Sequence, residues 1–217
     1  DRMEKRYESD MTRKEKRQNE LKKLKSMTFK QKVGYIWTYY KGVFAGIIIA
    51  CVIISIGVQM FQNSQLKSLL SIAVVDSNYN HDEQVEALQN DFLAYAGTGD
   101  KHEVVDVDTS LISGDDYNAV VKMTVVMGAG TADMMFCGEE TYKKYNQQEA
   151  FLSWKEVLGD DYSQYEEYMT DDGRLDLEKC PNWEKYNMVY YSPVYAVVMS
   201  SSKNLENCIK FLEMMVQ

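Results

Sequence analysis

The sequence predicts an α/β domain, with a mostly parallel sheet flanked by helices, carried behind one transmembrane helix. Three observations predict it. Residues 42–61, "GVFAGIIIACVIISIGVQMF", contain no charged side chain, and only Ser55 and Gln59 are clearly polar. The charge reverses across this stretch: residues 1–42 hold 13 Lys and Arg against 6 Asp and Glu, a net of +7, and the rest hold 11 against 27, a net of −16, which together make the −9 of the chain. Beyond residue 70, short apolar runs alternate with amphipathic segments, as strands and helices do when a sheet is covered by helices.

The apolar segment is taken first because it places the rest. At about 1.5 Å per residue, a helix of this length crosses the roughly 30 Å of a hydrocarbon core. A signal peptide has a shorter apolar region, about 7 to 15 residues, followed by small residues at a cleavage site; here Gln59, Met60, Phe61, Gln62 and Asn63 follow. The segment 42–62 is therefore expected to be an uncleaved anchor. Lys22, Lys23, Lys25, Lys30, Lys32 and Lys41 lie before it and only Lys67 lies close after it, so the positive-inside rule puts the amino terminus in the cytoplasm and the acidic domain outside. The chain begins at Asp1 rather than at an initiator Met, which is expected of a fragment.

Residues 1–27 are a charged segment whose apolar residues are few, among them Met3, Tyr7, Met11, Leu21 and Leu24; such a stretch is disordered or a solvated helix. In 28–41, Phe29, Val33, Ile36, Trp37 and Tyr40 fall on one helical stripe, with Thr28 and Gln31 in capping-box spacing. Trp37, Tyr39 and Tyr40 suit the headgroup level. This piece is either an interfacial helix or an extension of the membrane helix, and the lipid bilayer is the expected partner.

The domain 70–217 begins with a buried-strand run, "SIAVVDS". A helix follows, with Asn80 as cap, Asp82 and Glu83 at its positive end, Val85, Leu88, Phe92 and Tyr95 on its apolar face and Gly97 as its stop. "HEVVDVD" is a second strand. Asp115 or Asp116 caps "DYNAVVKMTVVMG", which reads as helix or strand because its valines permit both. "ADMMFCG" is a third strand. A helical "EETYKKYNQQEAFLSWKEVLG", an acidic loop over 160–180, a strand-like "NMVYYSPVYAVVMSS" and a last helix, with Ile209, Leu212 and Val216 on one side, complete the order.

Two of these pieces, "VVMGAGTADMMFCGEETYKKYNQQEAFLSWKEVL" and "PVYAVVMSSSKNLENCIKFLEMM", resemble the first lobe of bacterial extracellular solute-binding proteins, the periplasmic-binding-protein fold of type II. They cover about 57 residues. The longer piece has a helix ending in Gly, a short Asp-led strand and "AFLSW" before another helix; the shorter is similar to the strand and helix by which the chain of that family returns to the first lobe. Only residues 159–186 lie where that family has a whole further lobe, so the resemblance implies a single lobe. It also implies a bacterial, Gram-positive cell surface and a binding or interaction module that is not an enzyme.

Several motifs suggest chemistry and fail on context. Gly128, Gly130 and Asp133 spell G-x-G-x-x-D, but a dinucleotide fingerprint needs a strand before the glycines and a helix after them, and here the order is reversed; the glycines read as a helix stop. Ser200 to Lys203 spells S-x-x-K ahead of a helix start rather than on a helix, without the K-T-G or S-D-N partners. Asp160, Asp161, Asp171, Asp172, Asp176 and Glu178 lack the spacing of a calcium loop. His81 and His102 are the only histidines and have no metal or triad partners in sequence, so no cofactor or metal is expected. Of the cysteines, Cys51 falls in the membrane segment; Cys137 and Cys208 read as packing residues and Cys180 as the more exposed one. The acidic domain would repel nucleic acid.

In open α/β sheets, ligands bind beyond the carboxyl ends of the strands. That rule and the resemblance select Ser77, Asn78 and Tyr79 after the first strand, Thr109 and Ser110 after the second, and Gly138 and Glu139 after the third, for a small solute or peptide. The alternative is an accessory subunit whose outer domain packs on another membrane protein and takes no small molecule.

Overall fold

The computed structural model describes residues 12–217; Met3, Tyr7 and Met11, and the side chains of Leu24, Ile36 and Tyr39, lie outside the described residues. The chain forms two units, residues 1–64 and 65–217. In the first, α1 (Arg13–Ser26) is a solvated helix whose start is fixed by a capping box between Thr12 and Glu15. Helix α2 (Phe29–Ser64) runs unbroken for 36 residues, so the striped segment 28–41 and the apolar segment 42–62 form one helix. Gln31 Oε1 accepts from the Thr28 N–H at 3.2 Å at its start. Tyr40–Ser64, with a mean hydropathy of 2.5, is the one helix among the described residues long and apolar enough to cross a membrane.

The second unit is an α/β sandwich. Its elements are β1 (Lys67–Val75), α3 (Asp82–Ala96), β2 (Glu103–Leu111), α4 (Tyr117–Ala129), β3 (Met134–Cys137), α5 (Glu139–Asn146), β4 (Phe151–Leu152), α6 (Trp154–Leu158), β5 (Leu175–Asp176), α7 (Trp183–Tyr186), β6 (Tyr195–Met199) and α8 (Leu205–Val216). The sheet order is β2-β1-β3-β6-β4, with β5 also on β6. Successive strand residues face opposite sides, and both sides are covered. Leu70, Ile72, Val74, Met134 and Phe136 join Leu88 and Phe92 of α3 and Phe211, Leu212 and Met215 of α8 in one core. Ala73, Val75, Met135 and Cys137 join Met123 and Val126 of α4 and Tyr145 of α5 in the other. Burial on both faces explains why "MMFC" reads as an unbroken apolar run.

The sheet is mixed, which corrects the expectation of a mostly parallel one. β1 pairs in parallel with β2 and β3, but β6 is antiparallel to β3, β4 and β5. The reason lies in the connection. β5 ends at Asp176, opposite Tyr195 and level with the carboxyl end of β3. The connection between β5 and β6 closes on itself at that edge, the Leu177 N–H donating to Val194 O at 2.9 Å. β6 therefore starts at the carboxyl edge and runs back.

Other boundaries shift for identifiable reasons. The ambiguous segment is the helix α4, Tyr117–Ala129, with Asp116 as its cap, accepting from the N–H of Asn118 and Ala119, and Gly130 ends it at φ 61 in the left-handed region that glycine tolerates. The single helix expected over 139–159 is two helices: Glu149 takes φ 56, Phe151–Leu152 joins β6, and Ser153 with Glu156 forms a capping box that starts α6. The last strand is Tyr195–Met199 only. On α8 the buried face is Cys208, Phe211, Leu212, Met214 and Met215, with Ile209 and Val216 only partly buried. His81, not Asn80, occupies the cap position of α3. The acidic loop and α7 hide Met169, Leu175, Leu177, Cys180 and Trp183 in the same core as α8, so residues 159–186 form no second lobe, and Cys180 is buried rather than exposed. Trp154, fully buried, donates from Nε1 to Ala196 O at 2.9 Å.

Candidate functional site

The strands β1, β2 and β3 end at Val75, Leu111 and Cys137; Ser77, Asn78 and Tyr79 follow β1 and Gly138 follows β3, whereas Thr109 and Ser110, expected beyond the second strand, lie within β2, which runs on to Leu111, and Glu139 is the first residue of α5. Two cavities open there. One of about 430 Å³ is lined by Ser77, Asn78, Tyr79, Thr109 and Ser110; the other, of about 340 Å³, by Gly138 and Glu139. They share two walls, Asp76 and Tyr190. The seven selected residues thus fall into two groups, joined by residues that sequence reasoning did not select.

Asp76 takes φ 52, a left-handed backbone that Asp and Asn accept more readily than other side-chain residues. Its carboxylate accepts from the N–H of Ser113 at 2.9 Å and from the Ser113 hydroxyl. Its N–H donates to Leu111 O at 3.0 Å, which locks the end of β1 to that of β2. Ser77 donates its hydroxyl to Thr109 O at 2.9 Å. The His81 ring bridges the same two strand ends: Nδ1 lies against Asn78 O, and Nε2 is 2.9 Å from Thr109 Oγ1. A carbonyl can only accept, so Nδ1 carries a proton, and in the neutral ring Nε2 accepts from the Thr109 hydroxyl. Asn78 donates its N–H to Met188 O at 2.9 Å, while its side-chain Oδ1 is buried with no partner among the described residues. Ser110 accepts from Lys122 Nζ and donates to Asp108. Tyr79 is fully exposed and Tyr190 is 76 % exposed.

The second cavity rests on Tyr191. Its hydroxyl donates to Val75 O at 2.8 Å, and burial pushes its pKa far above the ordinary phenol value. A Cβ added at Gly138 would meet the Tyr191 ring at 3.3 and 3.4 Å, so the absence of a side chain there lets the ring pass beneath the start of α5. Glu139 is committed elsewhere. Lys143 Nζ donates to its Oε1 at 2.9 Å and Arg174 Nη1 to its Oε2 at 2.6 Å. These two partners hold its pKa down at about 2. Arg174 also donates to Asp172 at 2.8 Å and lies between the rings of Tyr142 and Tyr195, 4.4 and 4.2 Å from their centroids. Glu139 is thus a structural anchor beneath the cavity more than a free acceptor within it.

Gly128 lies in the last turn of α4 and Gly130 caps it, ahead of β3, the reverse of the dinucleotide order. Ser200 to Lys203 lies in the turn before α8. Among the described residues, no three His, Cys, Asp or Glu side chains form a set able to hold a metal ion. Tyr190 and Tyr191 were not selected because they reach the end of β1 through the β6 connection, which sets Val189 opposite Ser77; Asp76 was read as part of the first strand run, although β1 ends one residue earlier. No protein-family model, curated protein or solved structure matches the chain.

Proposed function

We propose that this chain is a membrane-anchored binding module, amino terminus in the cytoplasm and α/β domain outside, whose outer domain corresponds to a single lobe of the solute-binding type and performs no catalysis. The observation that carries this reading is the pair of cavities joined at Asp76 and Tyr190, at the strand ends where open α/β sheets take ligands. The hydroxyls and imidazole there brace the strand ends: Ser77 donates to a backbone carbonyl, and His81 is held at both nitrogens. Such groups position a wall more readily than they attack a substrate. With one lobe, a ligand would be gripped on an open face rather than between closing lobes. The test is a thermal-shift screen of the detergent-solubilised chain against amino acids, sugars and peptides. A saturable shift that Tyr190→Ala removes supports the reading; an unmoved melting temperature throughout, with a fixed membrane protein co-purifying, refutes it.

A second reading, an accessory subunit, draws on α4. Its outer face presents Tyr117, Val121 and Val125 one turn apart, 82, 41 and 55 % exposed, an apolar stripe of the kind that marks a protein contact. Val121→Lys with Val125→Lys would abolish co-purification of such a partner and leave small-molecule binding intact.

A further inference from the structure

We infer that the paired cavity binds a cationic ligand, a small molecule presenting an ammonium or guanidinium group; this rests on the binding-module reading and specifies its ligand class. Neither cavity has a Lys or Arg among its lining residues. The cations nearby are engaged: Arg174 and Lys143 hold Glu139, and Lys122 holds Ser110. The walls offer acceptors instead. Asp76 stands where the cavities meet, and Glu140 joins it and the ion-paired Glu139 on the wall of the smaller one. Asn78 lines the larger cavity beside Asp76 with an uncharged amide. The third contribution is aromatic. Tyr79 and Tyr190 stand exposed on the larger cavity, and a ring face attracts a cation through its quadrupole. An anion entering here would meet the carboxylates of Asp76 and Glu140, within a region whose net charge is −16 over residues 43–217.

The experiment measures binding of L-arginine and spermidine to the full chain in detergent by calorimetry, with L-glutamate and maltose as anionic and neutral probes. Arginine or spermidine should bind, more weakly as salt is raised. Asp76→Asn is the informative variant, because Asn keeps the left-handed backbone and an acceptor for Ser113 while removing the charge. It should weaken cation binding about five- to tenfold. Tyr190→Ala, at an exposed position, should weaken it about three- to tenfold. Cation binding indifferent to both variants overturns the inference. Glutamate or maltose binding in preference, and lost in Tyr190→Ala, also overturns it but leaves the binding module standing. Silence from all four probes overturns it too, and the wider screen for any ligand then decides the module reading separately.

Discussion

Replacing Arg174 by Ala removes the support beneath the smaller cavity, and the structure sets the size of the effect. The guanidinium is largely buried, its side chain 11 % exposed, while the Glu139 side chain it bonds is one-third exposed at 33 %. Solvent screening therefore limits the ion-pair share to about 1 kcal/mol. Contacts with the faces of Tyr142 and Tyr195 add about 1 to 2 kcal/mol, so the loss should be about 2 to 3 kcal/mol. Arg174→Lys, which keeps the charge without the planar fork, should recover less than half of it. Acid provides another readout. Glu139 titrates near 4.5 when unfolded and about 2 when folded, so its contribution is complete above pH 4.5 and is lost as pH falls towards 2. Asp172 is also lowered, although burial opposes the hydrogen bonds from Thr170 and Arg174 that lower it. In Arg174→Ala the acid loss of stability between pH 4.5 and 2 should be shallower than in the parent. Urea unfolding of the full chain in detergent, followed by the fluorescence of buried Trp154 and Trp183, measures both. A loss below about 0.5 kcal/mol, or an unchanged acid limb, would refute the reasoning.

Other substitutions test other joints. Gly130→Ala should destabilise by about 1 kcal/mol because its backbone is left-handed at φ 61, whereas Gly128→Ala, with open space at its Cβ, should stabilise by about 0.5 to 1 kcal/mol; urea midpoints of the two variants moving the same way would contradict the helix-stop assignment. Gly138→Ala should cost about 1 kcal/mol and perturb the Tyr191 ring, visible in near-ultraviolet circular dichroism. Trp154→Phe should cost about 2 kcal/mol through the lost Ala196 hydrogen bond and the space left in the core. Cys137, Cys180 and Cys208 are buried, and burial pushes each thiol up to about 12, so a maleimide at pH 8 should label none of them until urea is added.

What the sequence showed was mainly what local chemistry decides. Asp116 as a cap and Gly130 as a stop could be read because each acts on backbone within a few residues of itself, whereas the second strand was ended too early, at Asp108, because its continuation to Leu111 depends on pairing with Val75 of β1. The valines of α4 left helix and strand open because both satisfy them; packing of Met123 and Val126 on the sheet decided for helix. The break at Glu149 was written locally in "SWKE", a capping box, but Phe151 needed β6 as its partner, and that pairing spans 48 positions from 151 to 199. The direction of β6 was hidden for the same reason, and with it the position of Tyr190 and Tyr191 over the end of β1. Glu139 was selected for its place after β3, and its ion pair was out of view because Arg174 lies 35 residues further along.

The reversed strand also sets an order of assembly. While the chain is being made, β1, β2 and β3 can pair as soon as residue 137 emerges, but the outer edge of β3 has no partner until Tyr195 follows. For that interval "MMFC", apolar on both faces, presents an open row of backbone donors and acceptors, the condition in which strands join the wrong neighbour. A chain that stops short of β6 would therefore lose more than its last strand and helix: it would keep a sticky edge. β6, Tyr195–Met199, is the seal that makes the strands before it safe to expose.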